Sequence, residues 1–176
     1  MKAKKKGKVV EIRPGKEVVN LAESIKNDLR KYSARIKIAG SIRRKKPAPF
    51  DIDILIVPRT TKSKIHITEY LANRGELLDH GLRRVSSRIK GIRVDVYFTT
   101  RDSWGASLMY LTGPGGANIY NRRLAMRLGY MLNQYGLFNR RTGKRVPVYS
   151  EKEIYNALGK TYRNPIERGK KRTKKR

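Results

Sequence analysis

Between Gly40 and Asp53 the chain reads Gly-Ser-Ile-Arg-Arg-Lys-Lys-Pro-Ala-Pro-Phe-Asp-Ile-Asp, and few folds satisfy what this stretch and its flanks demand. A short apolar run, Ile36 to Ala39, leads into the Gly-Ser turn. After the aspartates, Ile54-Leu55-Ile56-Val57 is short and β-branched, which predicts a buried strand. Side chains two apart on a strand share a face, so Asp51 and Asp53 project together from its start. Like charges held that close repel, and a cation between them relieves the repulsion. Carboxylate oxygens suit Mg²⁺ or Mn²⁺ rather than zinc. The bland alternative is a solvated strand end. Against it stand the apolar strand beyond and the Gly-Ser turn with Arg43 and Arg44, where a phosphate would find N–H donors and positive charge.

A third carboxylate, Asp95, lies in Arg-Val-Asp-Val-Tyr-Phe. Strands over Val85–Ile89 and Ile92–Phe98 flank Lys90-Gly91, a two-residue hairpin turn. In the second of these, Ile92, Val94, Val96 and Phe98 share one face and Arg93, Asp95 and Tyr97 the other. Asp95 therefore meets Asp51 and Asp53 above the sheet if the two strands are neighbours.

Charge narrows the partner. The 176 residues carry a formal net charge of +29 and a pI near 10.8. Self-repulsion on that scale contributes nothing to folding, so an anionic partner is expected, nucleic acid ahead of an anionic membrane surface. No apolar run approaches the length of a membrane span, and the basic Met1–Lys8 is not followed by the apolar segment of a secretory signal. The expected setting is intracellular (cytoplasm or nucleoid, or virus-associated) and not secreted. Cysteine is absent, which removes disulfides and thiolate metal sites. His66 and His80 form no metal-ligand pattern and read as surface or structural.

The chain length allows one core or two small lobes, and two abutting lobes of α+β character are the simplest reading. Residues 1–12 read as a basic arm with an edge strand over Val9–Ile12, followed by a break at Arg13-Pro14-Gly15. A helical stripe of Val18, Val19, Leu21, Ala22, Ile25 and Leu29 covers Glu17–Lys31. Strands at Arg35–Ala39 and Ile52–Val57 follow, then a helix over Ile67–Asn73 ended by Gly75. After Ser103 come helices at Trp104–Leu111 and Ala117–Tyr130, with strands at Met131–Phe138 and Val146–Tyr149. Ser150-Glu151-Lys152-Glu153 is a capping box opening a helix to Leu158, with Gly159 as C-cap. Residues 168–176 read as a basic disordered tail.

Phosphates, hard cations and three acids are the parts of a metal-dependent nucleotidyl transferase. Gly40-Ser41-x-Arg43-Arg44, Asp51-x-Asp53 and Arg93-x-Asp95 resemble the palm of the family X DNA polymerases, the polymerase beta type. Tyr110-Leu111-Thr112-Gly113 with Asn118 and Arg122 is similar to the family's nucleotide-selecting element. Leu132–Leu137, Ser150–Tyr155 and Tyr162-Arg163-Asn164-Pro165 resemble its carboxy-terminal subdomain. The resemblance covers about Arg13 to Arg168. It implies an α+β fold: a nucleotidyltransferase palm, a mixed sheet with flanking helices, at 13–102, plus a small α+β subdomain at 103–167.

The implied activity is DNA-directed addition of deoxynucleotides to a primer 3′-hydroxyl, with two Mg²⁺ (or Mn²⁺) ions, in short-gap repair. The implied partners are gapped or nicked DNA and deoxynucleoside triphosphates, with no membrane, and the protein acting as a monomer. Asp51, Asp53 and Asp95 would be the catalytic carboxylates and metal ligands, with Arg93 orienting them. Gly40, Ser41 and Arg44 would bind the triphosphate. Tyr110 and the Thr112-Gly113 turn would lie beside the incoming sugar, Asn118 at the base's minor-groove edge, and Arg122 at the template strand. Lys170, Lys171 and Arg172 would grip DNA through phosphates.

Each assignment has a plainer alternative: Tyr110 as core, Asn118 as a helix N-cap, Arg122 as a solvated face. Leu111 stands where the family usually has an aromatic, and Pro49-Phe50 where it often has small N–H donors. The residues before Arg13 leave no room for the family's lyase or helix-hairpin-helix segments, as in its smallest viral members. Two other functions fit the charge: a template-independent terminal transferase, and a non-catalytic nucleic-acid-binding protein on the same fold.

Overall fold

The computed structural model describes residues 2–5, 8–11 and 15–169. The chain divides into two compact units, the first ending at Phe98 and the second starting at Thr99. Expectations placed on Ile12 to Pro14 and on Lys170, Lys171 and Arg172 lie outside the described residues.

In the first unit, β1 (Lys2–Lys5) and β2 (Lys8–Glu11) form their own antiparallel pair. The expected edge strand thus pairs with Lys2–Lys5 of the basic arm and does not edge the main sheet. α1 (Gly15–Leu29) buries Val18, Leu21, Ala22, Ile25 and Leu29, the stripe expected of it. Then come β3 (Ser33–Ile38), the short α2 (Gly40–Arg43) and β4 (Asp51–Pro58). α3 spans Thr61–Arg74, starting a turn and a half before the expected Ile67. Its start is set by a Thr60/Ser63 capping box rather than by apolar residues, which is why periodicity overlooked it. β5 (Glu76–His80), β6 (Arg84–Ile89) and β7 (Ile92–Phe98) complete a five-stranded sheet in the order β3-β4-β7-β6-β5.

β5 has no counterpart in the sequence expectations. Glu-Leu-Leu-Asp-His has no β-branched residue, and its position at the sheet edge, paired only to β6, makes the strand. The Lys90-Gly91 turn has φ of 50° and 74°, the positive pair a two-residue hairpin needs. β4 and β7 run parallel and the other pairs antiparallel, so the sheet is mixed. One face carries Ile36, Ile38, Ile52, Ile54, Ile56, Val85, Ile89, Val94 and Val96, packed with the apolar stripes of α1 and α3 in one core.

The second unit holds α4 (Trp104–Thr112), α5 (Gly115–Arg127), β8 (Tyr130–Asn133), β9 (Gly136–Asn139) and α6 (Glu151–Ala157). Its core gathers Ala106, Met109, Ala125, Leu132, Leu137, Val148, Ile154, Tyr155 and Leu158. The single strand expected over Met131–Phe138 is a hairpin. Asn133 Oδ1 accepts from the N–H groups of Tyr135 (2.8 Å) and Gly136 (3.2 Å), a side-chain-mimicked turn. Val146–Tyr149 is no strand either. Arg145 bridges to Phe138 and the Val146 N–H donates to the Leu137 carbonyl at 2.8 Å, but Pro147 has no N–H to continue a ladder. α5 starts two residues before the expected Ala117 and ends at Arg127 instead of Tyr130. The capping box stands: Ser150 Oγ accepts from the Glu153 N–H (3.2 Å), and Glu153 Oε2 accepts from that of Ser150 (3.3 Å).

Arg168 departs from the expected tail. Its side chain is 1% exposed and ion-paired to Glu151 at 2.7 Å. Its guanidinium lies over the rings of Tyr155 and Tyr162 at 5.6 and 5.7 Å. A buried, paired cation next to aromatic faces belongs to the folded unit.

Candidate active site

The parallel register of β4 and β7 builds the site. Asp51 stands opposite Arg93, and Asp53 opposite Asp95. Across β7, antiparallel β6 sets Ser86 opposite Asp95 and Arg84 opposite Tyr97. Paired residues share a sheet face, so the three carboxylates, Arg93, Ser86, Tyr97 and Arg84 lie on the face opposite the apolar core. The neighbourhood that the sequence left conditional is therefore present. Asp51 and Asp53 are half-buried and Asp95 is 6% exposed.

Both oxygens of Asp95 are engaged. Arg93 Nε donates to Oδ2 at 2.9 Å, and the Ser86 hydroxyl donates to Oδ1. The hydrogen bond to Asp95 holds Arg93 more firmly in its charged form. Burial, together with the charges of Asp53 and Asp95, pushes the Tyr97 phenol up to about 12, so it remains neutral at physiological pH. Among the described residues no group of three or more histidine or acidic side chains is gathered closely enough to hold an ion as it stands. The carboxylates form a row on adjacent strands, not a cage. Their hard oxygen donors fit Mg²⁺ or Mn²⁺, which are usually bound by one or two carboxylates with substrate phosphates and water completing the shell.

The turn after β3 approaches this row closely. The Ala39 N–H donates to the Asp53 carbonyl at 2.7 Å. Gly40 has φ of +58°, and a Cβ there would fall 2.0 Å from Asp53 Oδ2. Only glycine meets both conditions. The Ser41 hydroxyl oxygen is buried without a hydrogen-bond partner, a state that costs about 1–3 kcal/mol and suits it to a ligand's oxygen. Arg44, half-buried, closes the turn with its N–H on the Gly40 carbonyl (3.3 Å).

The second unit holds the remaining candidates. Tyr110 is 44% exposed and so is not core. Gly113 ends α4 at φ 60° and ψ −148°, a conformation open to glycine. Asn118 lies inside α5, whose N-cap is Pro114, and its Nδ2 donates to the Tyr110 carbonyl at 2.7 Å. The N-cap alternative for Asn118 is thereby removed. Arg122 Nε reaches the Leu132 carbonyl at 3.4 Å. Tyr110, Asn118, Asn121, Arg122 and Asn133 line one shallow cleft.

A family model for the DNA polymerase beta thumb matches residues 107–169. Repair DNA polymerase X from two isolates of African swine fever virus is 29% identical over 169 residues, covering 88% of this chain and 96% of the viral protein. The DNA polymerase/3′-5′ exonuclease PolX of Bacillus subtilis is 27% identical over 161 residues, covering 87% of this chain and 28% of that protein. Together these matches support a small family X DNA polymerase. The thumb match takes in most of α4 and all of α5, β8, β9 and α6, so the Tyr110–Asn118–Arg122 cleft lies inside it. The carboxylate row lies outside the matched thumb, in a stretch that the alignment over 88% of the chain supports more diffusely.

The sequence placed Tyr97 on the face of Asp95 without giving it a role, and did not single out Ser86. Their signal was the period-two alternation of β6 and β7, legible only once the strand pairing is known.

Proposed function

We propose that this family X polymerase extends a primer 3′-hydroxyl under template direction, filling short gaps in DNA during repair. One observation carries the catalytic assignment: Asp51, Asp53 and Asp95 share a face of adjacent parallel strands, beside a turn that only glycine allows so near Asp53. In the reaction the primer 3′-oxygen attacks the α-phosphorus of a deoxynucleoside triphosphate. A new phosphodiester bond forms, the bond to pyrophosphate breaks, and the hydroxyl proton leaves to solvent.

Two divalent ions held by the carboxylate row would supply charge neutralisation for the triphosphate and acidify the 3′-hydroxyl. The chain's own groups position the rest. Ser41 and Arg44 bind phosphate oxygens, and Gly40 lets the backbone come close. Arg93 orients Asp95 through its hydrogen bond. Asn118 and Tyr110 face the incoming base and sugar, and Arg122 the template strand. The charge of +29 adds sequence-independent grip on duplex phosphates.

Extension of a one-nucleotide-gapped duplex by wild type and Asp95→Ala tests this reading. Template-matched addition by the wild type, lowered at least 10³-fold by the substitution, is expected. Addition without regard to template would replace the reading by a terminal transferase. DNA binding with no addition under any metal would replace it by a binding protein.

A further inference from the structure

Two serines stand side by side on β6, both fully buried, and they face opposite ways. Ser87 faces the helical side, where its hydroxyl donates to the carbonyls of Glu76 (3.0 Å) and Leu71 (3.3 Å). Those bonds serve the fold: they tie β6 to β5 and α3. Ser86 is the register partner of Asp95, and its hydroxyl donates to Asp95 Oδ1. No backbone carbonyl competes for it among the described hydrogen bonds.

We propose that Ser86 is a positioning residue for the reaction, fixing the Asp95 carboxylate from the buried side while Arg93 fixes it from the exposed side. The inference rests on the reading of Asp95 as a metal-binding carboxylate. The two donors differ in kind. Arg93 is 49% exposed at its side chain, so water can replace it in part. Ser86 is fully buried, so loss of its hydroxyl takes away a donor that sits at the closed side of the carboxylate. A carboxylate gripped at Oδ1 keeps one rotamer, and the orientation of its remaining lone pairs follows from that grip. Partners of this kind, behind a metal ligand, typically govern metal affinity or activity by roughly 10–100-fold.

The adjacent serine supplies the control. The full chain would be compared as wild type, Ser86→Ala, Ser86→Cys, Ser86→Thr, Ser87→Ala and Asp95→Ala. For each, the single-turnover rate of gap filling would be followed against Mg²⁺ concentration, with DNA affinity and the thermal midpoint measured alongside. Ser86→Ala should raise the Mg²⁺ needed for half-maximal rate by about tenfold or more. Ser86→Cys, nearly isosteric but a weak donor, keeps the fold and should show the same shift. Ser86→Thr should restore most of the wild-type response, and Ser87→Ala should lower the thermal midpoint with wild-type Mg²⁺ dependence. Wild-type Mg²⁺ dependence in Ser86→Cys, with Asp95→Ala inactive, would overturn the role of Ser86 alone. An active Asp95→Ala would overturn the assignment of Asp95 and this inference with it.

Discussion

Gly40 carries two independent demands: a left-handed φ of +58° and a site where a Cβ would fall 2.0 Å from Asp53 Oδ2. A substitution relieves neither without moving the turn or the carboxylate. Gly40→Ala should therefore lower the single-turnover rate by about 10²-fold, the scale on which about 1 Å of misplacement acts. DNA affinity measured at the same salt should stay within a factor of two or three. A rate within threefold of wild type would show that the turn need not approach Asp53. At this scale Asp51 and Asp53 were legible in the sequence because a β-branched run fixed their face and a Gly-Ser turn preceded them. Ser86 was not, since serine is common in strands and its meaning comes from a register partner nine residues away. Asn118 falls between: its spacing marked it, but only the bond to the Tyr110 carbonyl removed the capping alternative.

At the scale of elements, α6 is held at its start by two devices. The backbone N–H groups of Tyr149 and Ser150 hydrogen-bond Glu153 and hold its carboxyl below the usual range. A lowered folded-state pKa means the contribution is present above the unfolded glutamate value, about 4.3, and is lost as pH falls through the folded one. Ser150→Ala should cost about 1 kcal/mol, read by denaturant titration, and acidification should lower the stability of wild type and variant alike, because the Tyr149 and Ser150 N–H groups that hold Glu153 are backbone and remain in both. The second device is the Glu151–Arg168 pair, with side chains 6% and 1% exposed. Arg168→Met removes the cation paired with a buried carboxylate and should cost about 3 kcal/mol. A loss under 1 kcal/mol would mean that the pair is exposed to water in solution. The capping box was written in the sequence as Ser-x-x-Glu, whereas Arg168 sat in a run of basic residues that gave no sign of its burial. Elements built from apolar periodicity, α1 and β4, were legible for the same reason. β5 and the start of α3 rest on sheet pairing and a Thr/Ser cap, which composition does not announce.

For the whole molecule, charge and the carboxylate row make separable contributions. Forty-three lysines and arginines against fourteen acidic residues give the chain a strong, sequence-independent attraction for DNA. Its affinity for gapped duplex should fall on the order of 10³-fold between about 50 and 200 mM salt, log K falling linearly with log salt. A shallow dependence would mean that few phosphates are neutralised. Net charge was read directly from composition, but how the basic residues distribute between structural pairs, as at Arg93 and Arg168, and solvent could not be. The chemistry depends instead on divalent ions gathering on one face of β4 and β7. Electron paramagnetic resonance of Mn²⁺, titrated into the protein with gapped DNA and a non-hydrolysable deoxynucleoside triphosphate analogue, measures that directly. Two tightly bound ions in the wild type and at most one weakly bound ion in Asp53→Asn are the expected result. Equal stoichiometry and affinity in both proteins would contradict the placement of the active site on this face.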